Sequence, residues 1–72
     1  MENQLLSERV QVERKQFFFD LKENVNGRFL RITEDVGGRK NTIIIPSTGL
    51  ELFRETLDHA ITADKKASSP QD

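Results

Sequence analysis

The segment Lys15–Glu34 constrains the fold of this chain most strongly, because it is typical of two strands joined by Asn26-Gly27. Asn and Gly tolerate positive φ at both central positions of a tight turn, and Asn-Gly between alternating apolar residues is the strongest short-range hairpin signal. With these two residues as the loop, the cross-strand pairs are Val25 with Arg28, Asn24 with Phe29, Lys22 with Arg31 and Asp20 with Thr33. The sequence therefore predicts an antiparallel hairpin with a defined register.

Side chains alternate between the two faces of a strand, so this hairpin has one apolar face and one mixed face. The apolar face carries Phe17, Phe19, Leu21, Leu30 and Ile32. The mixed face carries Phe18, Asp20, Lys22, Asn24, Phe29 and Arg31. Aromatic rings beside cations and an amide are what a sheet needs to stack an unpaired base and hold its phosphate. The rings could equally pack beneath another element or a second subunit, and periodicity alone leaves both alternatives open.

The residues before the hairpin predict a further strand. Residues 8–14 alternate around Val10 and Val12, which is a strand pattern. The apolar positions then change parity before Phe17, which requires a tight turn or a bulge near residues 13–16. Two separate strands are favoured, although one long bulged strand is an alternative because the turn lacks Gly and Pro.

The residues after the hairpin predict a fourth strand and a helix. Gly37-Gly38 provides the permissive backbone of a second turn, and the strand at residues 41–45 ends at Pro46. Apolar residues then recur at the spacing of one helical face, namely Leu50, Phe53, Leu57, Ala60 and Ile61. The helix is expected at residues 49–63, and its apolar stripe matches the apolar face of the sheet.

The predicted fold class is α+β, a four-stranded antiparallel sheet followed by one helix. We expect a flexible segment at residues 1–7, the ordered domain at residues 8–63 and a disordered tail at residues 64–72. A chain of 72 residues buries only about 60% of its unfolded surface and has no cysteine to staple it. Three consecutive isoleucines in the fourth strand also indicate that this strand is buried on both faces, which one helix cannot achieve alone. Self-association is therefore expected.

The charge is small overall but unevenly distributed. The net charge is −1, yet residues 14–40 carry seven cations and four acids, whereas the rest carries four cations and eight acids. The predicted sheet is therefore basic, and local potential matters more than the sum for a phosphate backbone. No apolar run reaches the roughly 20 residues that span a bilayer, and no secretory signal precedes the strands. We expect a cytoplasmic protein without a membrane partner, and association with the bacterial nucleoid is a further possibility.

Catalytic chemistry is not indicated. His59 is the single histidine, and Glu55 at helical spacing could orient it. The sequence does not identify a nucleophile positioned beside this pair. No further residues supply a metal site at usable spacing, and Gly37-Gly38 precedes a strand rather than a phosphate-binding helix N-terminus. We therefore expect no enzyme, no metal, no cofactor and no small-molecule substrate.

The predicted hairpin, fourth strand and helix together resemble the repeat of a known family. KQFFFDLKENVNGRFLRITE followed by GGRKNTIIIPSTGLELFRETL is similar to the repeat of the Pur-alpha proteins, the purine-rich element binding proteins of the PUR type. The resemblance covers residues 8–61. The matching positions are Lys15, Phe17, Phe18, Asp20, Lys22, Asn24, Gly27, Arg28, Phe29, Leu30, Phe53 and Arg54.

The resemblance implies a ββββα PUR repeat and a function. Two repeats intertwine through their helices into one PUR domain, so a chain with one repeat, like the short bacterial members, would form it as a homodimer. The family binds single-stranded DNA and RNA with a preference for purine-rich, G-rich sequence, and a regulatory role is expected. Lys22 and Asn24 correspond to the Lys-x-Asn contacts of the family and Phe29 to its stacking aromatic. Asn26 departs from the pattern, because the family often has a basic residue there.

The residues expected to bind nucleic acid are Phe18, Lys22, Asn24, Arg28, Phe29 and Arg31. For two of them a role without nucleic acid is the simpler interpretation. Asn24 could serve merely to brace the turn, and Arg28, like Arg39, could be a solvated charge at a strand end. A protein-interaction module that uses the same sheet face, with Phe18 and Phe29 as anchors, is the alternative function.

Overall fold

A computed structural model describes residues 2–68 of the chain, which form four strands followed by a helix. The strands are β1 (Asn3–Val12), β2 (Lys15–Asn24), β3 (Gly27–Val36) and β4 (Arg39–Pro46). A 3-10 turn, Ser47–Gly49, leads into helix α1 (Leu50–Ser68). The strands form one antiparallel sheet in the order β1-β2-β3-β4. This confirms the predicted α+β class, a four-stranded antiparallel sheet followed by one helix.

Both ends of the ordered region extend beyond the predicted boundaries. β1 begins at Asn3 rather than at residue 8, so residues 3–7 belong to the sheet instead of a flexible segment. Their pairing with β2 is a tertiary contact that their polar composition does not reveal. α1 continues to Ser68, with Lys65 and Lys66 in its last turn, where cations favour the helix dipole. Residues 64–68 are therefore helical. Met1 of the expected flexible segment and residues 69–72 of the expected tail lie outside the described residues.

β1 and β2 are separate strands joined at Glu13-Arg14. Glu13 has a φ of 56° and is, among residues 2–68, the one non-glycine residue with positive φ. A left-handed residue closes this hairpin without Gly or Pro, and Val10 comes to lie opposite Phe17. The tight turn thus explains the change of apolar parity and removes the alternative of one bulged strand.

The predicted loop Asn26-Gly27 is wrong by one residue. The loop is Val25-Asn26, and Asn24 pairs with Gly27, which begins β3 with a φ of 128°. The Asn26 N–H donates to Asn24 Oδ1 at 2.8 Å and so stabilises the earlier bend. Each predicted partner therefore moves by two residues along the strand. The period of side-chain alternation is also two, so every residue keeps its predicted face although it changes its partner.

One chain leaves most of its apolar surface uncovered. Ile45, with 4% of its surface exposed, is the only buried hydrophobic residue within residues 2–68. An open recess of about 630 Å³ separates α1 from the sheet, lined by Phe19, Leu30, Ile32 and Ile45 on the sheet side. The Cα radius of gyration is 15.4 Å, whereas a compact domain of this length has about 11 Å. The apolar side chains of α1 therefore border this recess without being buried against the sheet.

Candidate nucleic-acid interface

The mixed face predicted from the sequence is the sheet surface that points away from α1, here called the outer face. It consists of the even-numbered residues of β2 and β4 and the odd-numbered residues of β3. Cross-strand rows run over it from β1 to β4. These rows are Gln4–Lys22–Phe29–Pro46, Ser7–Asp20–Arg31–Ile44 and Arg9–Phe18–Thr33–Thr42.

The first row places a cation beside an aromatic ring. Lys22 lies directly opposite Phe29, a closer relationship than the predicted register gave. Directly opposite residues have Cβ atoms about 4.5–5.5 Å apart, so an ammonium group and a ring share one small area. Phe29 is half-buried, and its far neighbour is Pro46. A base on this ring would have its phosphate within reach of Lys22.

Asn24 follows Lys22 by two residues and shares its face. Its Oδ1 atom accepts the hydrogen bond from Asn26 that stabilises the loop, at 2.8 Å. The turn-bracing alternative is therefore present in the structure. A base contact by Asn24 would use the Nδ2 donors of the same amide, held in place by this bond.

The second row contains an arginine whose bonding is incomplete. Arg31 Nη2 lies 3.8 Å from Asp20 Oδ2, and the Ser7 hydroxyl donates to Asp20 Oδ1 at 2.9 Å. Arg31 Nε is buried and has no hydrogen-bond partner among the described residues. Buried donors without a partner are rare, and Nε itself is inaccessible to a ligand. The Arg31 side chain as a whole is 40% exposed, and the exposed part of its guanidinium can reach a phosphate or a base.

The structure does not bring all the predicted site residues together. Phe18 lies opposite Thr33 and Arg9, four residues along β2 from Lys22, which corresponds to about 13 Å. Arg28 lies opposite Glu23 on the side that faces α1, and its Nη1 atom is 3.4 Å from Glu23 Oε2. Arg28 is therefore not on the surface that carries Phe29, and strand alternation alone gives this placement.

Sequence reasoning missed the contribution of β1 to the outer face. The registers place Arg9 beside Phe18 and Gln4 beside Lys22. Over the paired strand positions the outer face carries four cations and two acids, namely Arg9, Lys22, Arg31 and Lys40 against Asp20 and Asp35. The positions on the other side carry equal numbers of each. The alternating pattern of residues 8–14 signalled a strand, but only its pairing shows which residues join the basic face.

The opposite side of the sheet contains an ion-paired carboxylate. Lys15 Nζ lies 3.1 Å from Glu34 Oε2, and Asn41 Nδ2 donates to Glu34 Oε1 at 3.4 Å. These hydrogen bonds, the one from Lys15 first, lower the pKa of Glu34 below its usual value. This cluster stabilises the pairing of β2, β3 and β4 and lies away from the outer face.

No described helix combines the length and apolar character needed to cross a membrane. Across residues 2–68, no three His, Asp or Glu side chains are grouped so that they could hold a metal ion.

An open antiparallel sheet with aromatic, amide and basic side chains on one face defines a class of protein, the sheet-based nucleic-acid-binding modules. The family model described as "PurA ssDNA and RNA-binding protein" matches residues 1–71, and the chain belongs to this family. The resemblance found in the sequence is thereby confirmed.

Known proteins similar to the chain agree with this assignment. The chain is 40% identical over 62 residues to "Transcription factor Pur-alpha 1" of Arabidopsis thaliana. This match covers 86% of the chain and 21% of that protein. The chain is 35% identical over 71 residues to "Transcriptional regulator protein Pur-beta" of Homo sapiens, covering 94% and 23%. It is 38% identical over 55 residues to human "Transcriptional activator protein Pur-alpha", covering 75% and 17%. The chain thus spans about a fifth of the length of these relatives.

Proposed function

We propose that this protein binds single-stranded, purine-rich DNA and RNA through the outer face, as a homodimer that forms one PUR domain, and that it acts as a regulator. The observation that carries the proposal is the direct opposition of Lys22 and Phe29 on the face of the sheet that points away from α1. Single strands are recognised by stacking unpaired bases on aromatic rings beside groups that neutralise phosphate.

Each residue of the proposed site has a separate task. A base stacks on Phe29, which contributes about 1–3 kcal/mol per base. Lys22 and Arg31 neutralise the flanking phosphates, and the amide of Asn24 contacts a base edge. Phe18 offers a second ring about 13 Å along the same strand, where a neighbouring part of the oligonucleotide would lie. Arg28 is left out, because it faces the other side of the sheet. The preference for purine-rich sequence is the one that the resemblance implies.

The homodimer is supported by the uncovered apolar surface. The recess between α1 and the sheet is lined by apolar side chains from both, and no residue of α1 is buried. Large exposed hydrophobic residues occur on both elements, including Ile43, Phe53, Leu57 and Ile61. Patches of this kind mark association surfaces. A second copy, with its helix on this sheet and its sheet under this helix, covers both at once. We expect the dimer to act in the cytoplasm.

Titration of a labelled purine-rich oligonucleotide at two salt concentrations tests the proposal. Affinity should fall with salt, with a shallow slope because few cations face the strand, and each phosphate contact contributes about 0.7 to that slope. The double variant Phe29→Ala with Asn24→Ala should bind more weakly, by at least the factor of about five that the low end of a stacking contribution gives.

A matched pair of variants locates the site on one face of the sheet. Arg31→Gln and Arg28→Gln remove the same charge from the same strand but from opposite sides. The first should weaken binding and reduce the salt slope by about 0.7, and the second should leave both close to wild type. Equal effects, or binding that is insensitive to salt and to the double variant, would contradict the proposal. Capture of a protein partner that survives nuclease treatment would instead support the alternative of an interaction module.

A further inference from the structure

A bulge in β1 determines what lies beside Lys22. The β1–β2 register shifts between Gln4 and Leu6, because Leu5 has no partner in β2. Leu6 lies opposite Leu21 on the apolar side, whereas Gln4 lies opposite Lys22 on the outer face. Without the extra residue, strand alternation would turn the even-numbered residues before Leu5 to the apolar side. The bulge therefore directs the segment before it onto the basic face.

Because of this bulge, Glu2 lies close enough to contact Lys22. It precedes β1 by one residue, and its Oε1 atom lies 3.5 Å from Lys22 Nζ. The Lys22 side chain is only 14% exposed, whereas that of Lys15, which is also in an ion pair, is 55% exposed. The ammonium group that should meet a phosphate is therefore already paired with a carboxylate, and the Lys22 side chain as a whole is largely covered.

The two acids that pair with outer-face cations differ in how firmly they are held. Asp20 lies within β2, accepts a hydrogen bond from Ser7 at 2.9 Å, and its side chain is 15% exposed. Glu2 lies outside the strands, and its side chain is 50% exposed. Asp20 is thus part of the sheet, whereas Glu2 can leave Lys22 when only one exposed side chain rotates.

We propose that Glu2 occupies, in the free protein, the place beside Lys22 that a phosphate takes in the complex, so that nucleic acid binds only by displacing it. This inference rests on the proposed function and adds an autoinhibitory contact to it. Glu2 is half-exposed, and an ion pair that keeps one partner in solvent contributes at most a factor of about five in affinity. Glu2 therefore tunes the affinity and does not abolish binding.

The test compares Glu2→Gln with Glu13→Gln, which removes the same charge at the other end of β1. With a labelled purine-rich oligonucleotide at low salt, Glu2→Gln should raise the affinity by about twofold to fivefold relative to Glu13→Gln. In a Lys22→Gln background the gain from Glu2→Gln should disappear, because the two residues act as a pair. Equal affinities for the two variants, or a gain that persists without Lys22, would overturn the inference.

A second readout does not depend on nucleic acid. Acylation of lysines in the free protein, followed by mass spectrometry, should modify Lys22 more slowly than Lys15. Glu2→Gln should accelerate the modification of Lys22, and Glu13→Gln should not. An unchanged Lys22 rate would overturn the inference even if the oligonucleotide binds. An accelerated rate with no oligonucleotide binding in any variant would refute the proposed function while the Glu2–Lys22 contact stands.

Discussion

Truncation of Leu57 should separate the proposed homodimer into single chains. Leu57 lies on the apolar stripe of α1 and is 61% exposed in one chain. Complete burial of a leucine side chain contributes about 1.5–3 kcal/mol, so covering the part that is still exposed contributes about 1–2 kcal/mol. A symmetric dimer contains this contact twice. Leu57→Ala should therefore weaken dimerisation by about 2–4 kcal/mol, or roughly 30-fold to 700-fold in the dissociation constant.

Sedimentation equilibrium over a range of protein concentrations measures this dissociation constant. Glu55→Ala is the control, because Glu55 lies about half a helical turn away from the stripe and is exposed. It should leave the dissociation constant within a factor of about two, as surface substitutions usually do. A wild-type chain that is monomeric and fully folded at micromolar concentration would refute the reasoning. So would a Leu57→Ala dimer as stable as that of Glu55→Ala.

Two further predictions concern the stability of the sheet. Gly27→Ala should destabilise the fold by about 1–3 kcal/mol in urea unfolding, because alanine strains at a φ of 128° although its Cβ would meet no atom within 4 Å. Gly49→Ala is the control, since its Cβ would make an ordinary 3.9 Å contact with Ile45, and equal stability of the two variants would contradict the argument. The lowered pKa of Glu34 means that its charged form is favoured in the folded state, so its contribution is present above the usual pKa of 4.5 and is lost as the pH falls through the lower folded value. Glu34→Gln should therefore flatten the acid side of the stability–pH curve and leave its alkaline side unchanged, and an unchanged acid side would refute this assignment.

The composition of the two sheet faces could be predicted from local sequence, because side-chain alternation depends only on backbone geometry. Phe18, Lys22, Asn24, Phe29 and Arg31 share the outer face as predicted. The same rule, applied to Arg28, places it on the other side, opposite Glu23.

The partners across the sheet could not be predicted in this way. The observed loop begins one residue earlier than predicted, because the side chain of Asn24 stabilises the earlier bend. The Asn-Gly pair alone does not decide between the two loop positions. That shift made Lys22, rather than Asn24, the direct neighbour of Phe29. The start of β1 and the bulge at Leu5 likewise depend on hydrogen bonds to β2, which no property of residues 2–7 records.

The sequence by itself determined the order of the elements and which side chains share a face, since both follow from short-range periodicity and turn chemistry. Tertiary structure alone decided which residues meet across the strands, how Glu2 reaches Lys22, and that α1 leaves its own sheet uncovered. These features depend on free energies of pairing and burial between segments distant in the chain, and such energies are fixed only when the whole chain has folded.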